Sequence, residues 1–135
     1  MDAVIKWNGE GMSFEGVGPR DYPVTMGGGE EKGPSPMEML LLSLGGCTGM
    51  DCIMVMLKKR QDVRSFRIEI HAERAQAYPQ KYTKIEMEYI FEGHNLDRLK
   101  VEKAVDISSN KYCSVKASLD PAIEFTTTIT INNID

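Results

Sequence analysis

A long apolar segment constrains the fold of this chain more than any other feature. Residues 36–59 read PMEMLLLSLGGCTGMDCIMVMLKK and are apolar on nearly every side until the closing lysines. Ser35 at the N-cap, Pro36 after it and Glu38 form a capping box, which predicts a helix beginning here. Such a helix spans about 36 Å and is buried on most sides. A monomer of 135 residues covers it poorly, so we predict a homodimer that encloses it.

The other segments carry strand, helix and turn signals in a clear order. Alternating apolar and polar residues predict strands at 3–7, 12–17, 22–26, 63–75, 82–91 and 123–131. A second helix is predicted at 96–110 with Asn95 as its cap, and a short helical turn at 114–119. Residues 27–33 form a glycine-rich loop. The order βββ-α-ββ-α-β predicts one α+β domain, residues 1–135, with a largely antiparallel sheet.

Composition excludes several classes of function. The net charge of -4 and the lack of a basic stripe argue against a nucleic-acid partner. No run of 18 apolar residues exists, so no membrane span is predicted, and the N-terminal residues lack the pattern of a signal peptide. The three cysteines fit a reducing cytoplasm. The two histidines lie far from the cysteines, so we expect neither a metal site nor a cofactor.

Cys47 is the best candidate for chemistry. It follows Gly45 and Gly46, which leave the thiol approachable although each costs about 1 kcal/mol of helix stability relative to alanine. Those glycines admit either a tightly packed neighbour or a small open space. The alternative is that Cys47 is a small apolar residue in a packed helix. It lies too deep in the helix for the N-terminal dipole, so a thiolate needs a donor from elsewhere in the fold or from a partner chain.

The two other cysteines are interpreted differently. Cys52 lies five residues after Cys47, about 140° around the helix, so the two sulfurs share no face and Cys52 is predicted to pack in the core. Cys113 follows the second helix, where the chain changes direction. That is a natural place for a mobile resolving thiol, although a buried small residue fits equally well.

Glu38 and Arg20 are weaker candidates. Glu38 has a full structural role in the capping box, and it lies about 13.5 Å along the helix axis from Cys47. A catalytic role would run through a bridging residue or the second subunit. Arg20 lies at a turn and can act as the cation beside a thiolate, although a solvated turn arginine is commoner.

These motifs resemble the OsmC/Ohr family, most closely its YhfA-like branch. The resemblance rests on the pattern Gly33-x-Ser35-Pro36-x-Glu38-x-Leu40, on Cys47 in a glycine-containing helix, and on Lys111-Tyr112-Cys113-Ser114-Val115. It implies antiparallel sheets wrapped around long central helices in an intertwined homodimer, with active sites at the subunit interface. The family pattern has a glutamate directly after the proline, where this chain has Met37, and an arginine in the N-terminal strands that has no clear match here.

The resemblance also implies an activity. Cys47 would match the peroxidatic thiol, which attacks an organic hydroperoxide and becomes a sulfenic acid, and Cys113 the resolving thiol, which closes a disulfide. A dithiol reductant would then reset the pair. The rival interpretation is a non-catalytic dimer of the same fold that binds a small apolar ligand or serves a structural role.

Overall fold

The computed structural model describes residues 1–28 and 33–135. The chain divides into two compact units, residues 1–42 and 43–135. Residues 29–32 of the predicted glycine-rich loop lie outside the described residues. The order of strands and α-helices follows the prediction, βββ-α-ββ-α-β, and the short helical turn predicted before the last strand is present as a one-turn helix. The assignment of the chain to one domain stays a prediction.

The first unit contains a three-stranded antiparallel sheet. Its strands are β1 (Val4–Trp7), β2 (Phe14–Val17) and β3 (Val24–Met26), in the order β1-β2-β3. Residues directly opposite each other share a face, and this register gives the sheet one apolar face. It consists of Ile5, Trp7, Phe14, Val24 and Met26 around Gly16. Trp7 on this face is 58% exposed.

Helix α1 (Pro36–Lys58) begins where the sequence predicts. The Ser35 backbone N–H donates to Glu38 Oε2 at 3.0 Å, and the Glu38 N–H donates to Ser35 Oγ at 3.1 Å. The predicted capping box is therefore formed. By length and composition α1 is able to cross a membrane, a test that the core helix of a soluble protein also passes. The expectation of no membrane span stays a prediction.

The second unit is built on a mixed sheet. Strands β4 (Asp62–Arg74) and β5 (Tyr82–His94) form the predicted antiparallel hairpin, and β6 (Glu124–Asn133) joins β5 in parallel. The sequence pattern does not predict this parallel pairing, because alternation specifies a buried face and not a strand direction. β5 is the central strand and the most buried. Its core side chains are Tyr82, Ile85, Met87, Tyr89, Ile90 and Phe91.

Two glycines of α1 approach strand β4. A Cβ at Gly45 would lie 3.0 Å from Ile70 Cδ1, and one at Gly49 would lie 3.4 Å from Ile68 Cδ1. A Cβ at Gly46 would meet no atom within 4 Å. Gly45 therefore admits a tightly packed strand side chain, whereas Gly46 leaves open space one residue before the thiol.

The second helix is shorter than predicted. Helix α2 (Arg98–Ile107) is followed by a π-helical turn (Ser108–Tyr112) and by helix α3 (Ser114–Ala117). The predicted cap at Asn95 is wrong. Asp97 is the N-cap and its carboxylate accepts from the Leu99 N–H at 3.0 Å, while Asn95 has a φ of 50° and turns the chain ahead of the helix.

Candidate functional site

Cys113 lies at the junction of the π-helical turn and α3. Its backbone N–H donates to the Ser108 carbonyl at 2.9 Å, closing the turn. Its sulfur accepts from the Lys116 backbone N–H at 3.4 Å, so the thiol caps α3. The residue is 3% exposed. These two hydrogen bonds hold Cys113 at the point where the backbone changes from the π-helical turn to helix α3.

The structure brings Cys47 and Cys113 together. Burial raises the pKa of the Cys113 thiol, the Lys116 backbone N–H lowers it, and a hydrogen bond with Cys47 and the charge of Cys47 raise it further. The last two effects require Cys47 to lie near Cys113. Cys47 itself is half-buried on α1. The two thiols are therefore neighbours, and their roles as a reactive pair stay predictions.

Cys52 differs from Cys47 and Cys113 because it packs in the core of the second unit. It is 0% exposed and faces the core together with Leu44, Thr48 and Met56, which recur at intervals of four along α1. Burial raises the pKa of Cys52 to about 12, against a smaller opposing effect of a hydrogen bond with Ser108. The prediction that Cys52 packs in the core is confirmed.

A chain of buried hydroxyl groups lies beside the thiols. Thr48 Oγ1 and the Tyr89 hydroxyl are 2.9 Å apart, Thr48 Oγ1 donates to Ser108 Oγ at 3.5 Å, and Ser108 Oγ donates to the Val105 carbonyl at 3.0 Å. Either hydroxyl of the Thr48–Tyr89 pair can be the donor. Burial raises the pKa of Tyr89, hydrogen bonds with Thr48 and Ser109 lower it, and the charges of Cys52 and Cys113 raise it. The network joins α1, β5 and the π-helical turn.

The Lys116 side chain makes contacts in the segment around Cys113 and on the adjacent strand. Its Nζ donates to Ser109 Oγ and to Asn110 Oδ1, each at 3.0 Å. The same ammonium lies 4.9 Å from the centroid of the Phe125 ring on β6, a cation–π geometry. Lys116 thus ties α3 to the π-helical turn and to the sheet.

Glu38 and Arg20 belong to the first unit, and the cysteine pair to the second. The Glu38 carboxylate is exposed and occupied by its capping bond to Ser35. Arg20 is exposed, with no hydrogen bond or ion pair to another residue in 1–28 or 33–135. Over the same ranges, no group of three or more His, Cys, Asp or Glu side chains is placed to hold a metal ion. The roles predicted for Glu38 and Arg20 stay predictions.

Sequence reasoning missed four residues of this site. Thr48, Tyr89 and Ser108 come from three distant segments, so no local pattern joins them. Lys116 had a local signal, because a residue three positions after an N-cap has its backbone N–H directed at the capping side chain. That signal depends on recognising Cys113 as the cap, and thiols are not usual caps.

Comparisons with known proteins identify the family of this chain. The family model described as OsmC-like protein matches residues 28–128. Protein YhfA from Escherichia coli (strain K12) is 38% identical over 127 residues, covering 93% of this chain and 94% of YhfA. This chain belongs to the OsmC-like protein family, as its motifs predict.

Solved structures agree in fold. A hypothetical protein from Aquifex aeolicus VF5 matches with a TM-score of 0.88 and 30% identity, covering 99% of this chain and 97% of that one. An organic hydroperoxide resistance protein OsmC from Legionella pneumophila matches with a TM-score of 0.66 and 9% identity over 96% of this chain and 95% of its own. At that identity the likeness to the Legionella protein shows the fold alone. The predicted α+β, OsmC-like fold class is confirmed.

Proposed function

We propose that this protein is a thiol peroxidase that reduces organic hydroperoxides through Cys47 and Cys113. The single observation that carries the proposal is the proximity of these two thiols, which is seen in the effect of Cys47 on the pKa of Cys113, although they lie 66 positions apart in sequence. The name of the Legionella neighbour, a hydroperoxide resistance protein, supports the substrate class. The substrate would approach past Gly46, where a side chain is absent and the space is open.

The proposed reaction balances in two steps. The Cys47 thiolate attacks the terminal oxygen of ROOH, the O–O bond breaks, and Cys47 becomes a sulfenic acid while RO⁻ takes a proton and leaves as ROH. The Cys113 sulfur then attacks the sulfenic sulfur, forming the disulfide and releasing water once the proton of Cys113 is counted. A dithiol reductant restores both thiols by exchange and is itself oxidised to a disulfide.

The proposed assembly is a homodimer acting in the cytoplasm. Four large apolar side chains on α1 are exposed in the single chain, namely Met50 at 73%, Leu42 at 65%, Leu57 at 63% and Met54 at 43%. The sheet of the first unit also exposes an apolar face, and exposed apolar patches of this kind mark association sites. Light scattering after gel filtration should give twice the chain mass of 15.1 kDa; a monomer at micromolar concentration would contradict the proposal.

A second candidate function is a non-catalytic dimer that binds a small apolar ligand beside Gly46 or serves a structural role. One observation favours it: Arg20, the cation predicted beside the thiolate, makes no hydrogen bond or ion pair within residues 1–28 and 33–135. A peroxidatic centre usually needs a cation or donor to hold its thiolate. The name of Protein YhfA, which is 38% identical to this chain, refers to no activity.

The deciding experiment compares wild type with Cys47→Ser. Reduced protein is mixed with cumene hydroperoxide, and free thiols are counted against time after quenching. We expect wild type to lose two thiols per chain at least 100-fold faster than the variant, a magnitude of about 2.7 kcal/mol in the barrier. Equal rates would exclude the peroxidase and leave the binding dimer.

Two milder variants test the weaker candidates. Glu38→Gln keeps an oxygen that accepts the Ser35 N–H and removes the charge, whereas Arg20→Gln removes the exposed cation. If either residue helps to ionise Cys47, its variant shifts the pH dependence of Cys47 alkylation towards that of a free thiol, near 8.5. An unchanged profile in both would restrict the chemistry to the two cysteines.

A further inference from the structure

We infer that Lys116 is a positioning residue that holds the Cys113 thiol against Cys47, so that it sets the rate and the equilibrium of disulfide closure. The inference rests on the proposed role of the two thiols. Lys116 touches neither the proposed substrate path nor the sulfur of Cys47. It acts on Cys113 through the backbone and through the π-helical turn.

The first contact is made by the main chain. The Lys116 N–H donates to Cys113 Sγ, and the Ala117 N–H donates to the Cys113 carbonyl at 3.1 Å. Both bonds require α3 to remain helical. A helix of 4 residues is far below the length that is stable by itself, so something outside α3 must hold its geometry.

The Lys116 side chain stabilises the geometry of α3 through contacts outside that helix. Its ammonium donates to Ser109 and Asn110, which lie in the middle of the π-helical turn, and it lies over the Phe125 ring of β6. Cys113 lies between these anchors in sequence. One side chain therefore fixes the segment on both sides of the thiol and attaches it to the sheet. A π-helical turn is a rare local form that is often found at functional sites, and here it directly precedes the thiol.

The consequence is specific to one step. If the side-chain contacts of Lys116 are lost, the Cys113 thiol samples positions away from Cys47 and disulfide formation slows. The rate at which Cys47 attacks a peroxide should not change. A misplacement of about 1 Å can cost as much as about 100-fold in an intramolecular step. We expect a closure rate about 10-fold lower, because the bond to Ser108 still holds the Cys113 backbone.

The chain offers a matched control. Lys111 lies in the same turn, carries the same charge and is exposed, and its ammonium lies over the Tyr112 ring at 5.3 Å without reaching β6. Lys111→Met removes a charge from the segment and leaves the Lys116 contacts in place. Lys116→Arg keeps a cation that can reach the same acceptors, and it should restore most of the wild-type behaviour.

The test does not depend on peroxidase activity. Wild type, Lys116→Met, Lys116→Arg and Lys111→Met are equilibrated with mixtures of reduced and oxidised glutathione, in which two thiols of the protein are oxidised as one oxidised glutathione is reduced to two. The fraction carrying the Cys47–Cys113 disulfide gives the effective concentration of the pair. Thermal unfolding of each variant is measured in parallel, so that a global loss of structure is seen separately.

We expect the effective concentration to fall about 10-fold in Lys116→Met and to change less than about 2-fold in the other two variants. In stopped flow with cumene hydroperoxide, Lys116→Met should form sulfenic acid at the wild-type rate and close the disulfide more slowly. An unchanged equilibrium in Lys116→Met, or an equal fall in Lys111→Met, would overturn the inference. Failure of wild type to react with the peroxide would contradict the proposed peroxidase and leave the glutathione result standing.

Discussion

Cys52 and Cys113 are both buried thiols with raised pKa values, but they lie in backbone of opposite kinds. Cys52 occupies the middle of the regular helix α1 and is 0% exposed. Cys113 occupies the junction of a π-helical turn and a one-turn helix and is 3% exposed. Burial therefore does not distinguish the two. The difference lies in how much structure must open before each sulfur can move.

The energetic contrast follows from the contacts. Freeing Cys52 means lifting α1 from the sheet, which exposes Leu44, Met56 and the buried Thr48 hydroxyl along with it. Freeing Cys113 means breaking the sulfur cap of α3 and the bond to the Ser108 carbonyl. Local opening of this second kind costs much less than global unfolding. A thiol that forms and breaks a bond to a neighbouring sulfur needs small backbone adjustments, and the second setting allows them at lower cost.

The largest expected effect is on disulfide formation. Cys113→Ser should abolish the intramolecular disulfide after one equivalent of cumene hydroperoxide, because serine caps α3 at least as well as cysteine but cannot bond to sulfur. Cys47 should then accumulate as sulfenic and later sulfinic acid. Cys52→Ala should form the disulfide as wild type does. Intact-mass spectrometry with a sulfenic-acid trap distinguishes these outcomes, and loss of the disulfide in Cys52→Ala would reverse the roles of the two thiols.

The next effect is on access under native conditions. With Cys47 replaced by serine, iodoacetamide should modify Cys113 about 100-fold faster than Cys52, because only local opening is needed. Peptide mapping against time measures both rates in one sample, with the unfolded protein as the reference for intrinsic reactivity. Equal protection of the two thiols would mean that the π-helical turn opens only when the whole unit unfolds.

A third effect appears in the pH dependence of stability. The pKa of Cys52 is about 12 in the folded protein against 9.0 for an ordinary thiol, so the stabilisation is full below the lower value and is lost as pH rises towards the upper one. Between about pH 9 and pH 11 wild type should lose about 2 kcal/mol more than Cys52→Ala. Urea unfolding in the presence of a phosphine reductant measures the difference. Parallel curves for the two proteins would show that Cys52 ionises freely in the folded state.

The smallest effect concerns the hydrogen-bond network of Thr48, Tyr89 and Ser108, which lies near both Cys52 and Cys113. Tyr89→Phe removes the hydroxyl that pairs with Thr48 and should lower the free energy of unfolding by about 1 kcal/mol. Tyr78→Phe is the matched control in the same unit, because Tyr78 is 88% exposed. Disulfide closure should be unchanged in both. Slower closure in Tyr89→Phe alone would assign the network a part in holding Cys113.

The sequence predicts this molecule best where the signal is local. The capping box of Ser35 and Glu38 places the start of α1 correctly, and alternation places the hairpin of β4 and β5. The two cysteines could be paired in advance only through the resemblance to a family. Nothing in the residues around Cys47 specifies what folds against it.

Other features could not be predicted because they arise from packing. The i to i+5 bonding of residues 108–112 has no sequence signature, so the segment was indistinguishable from the end of α2. Asn95 and Asp97 are both good caps, and the positive φ of Asn95 decides between them only once the chain is folded. The Thr48–Tyr89–Ser108 network requires the sheet and α1 to be in place first.

The proposed function depends on Cys47 and Cys113 being neighbours that can form a disulfide. A disulfide map tests this most directly. Reduced wild-type protein is treated with one equivalent of cumene hydroperoxide, alkylated, digested and analysed for cross-linked peptides by mass spectrometry. We expect a disulfide between Cys47 and Cys113 within one chain, with Cys52 recovered in its alkylated form. A link through Cys52, or no link while Cys47 stays reduced, would contradict it.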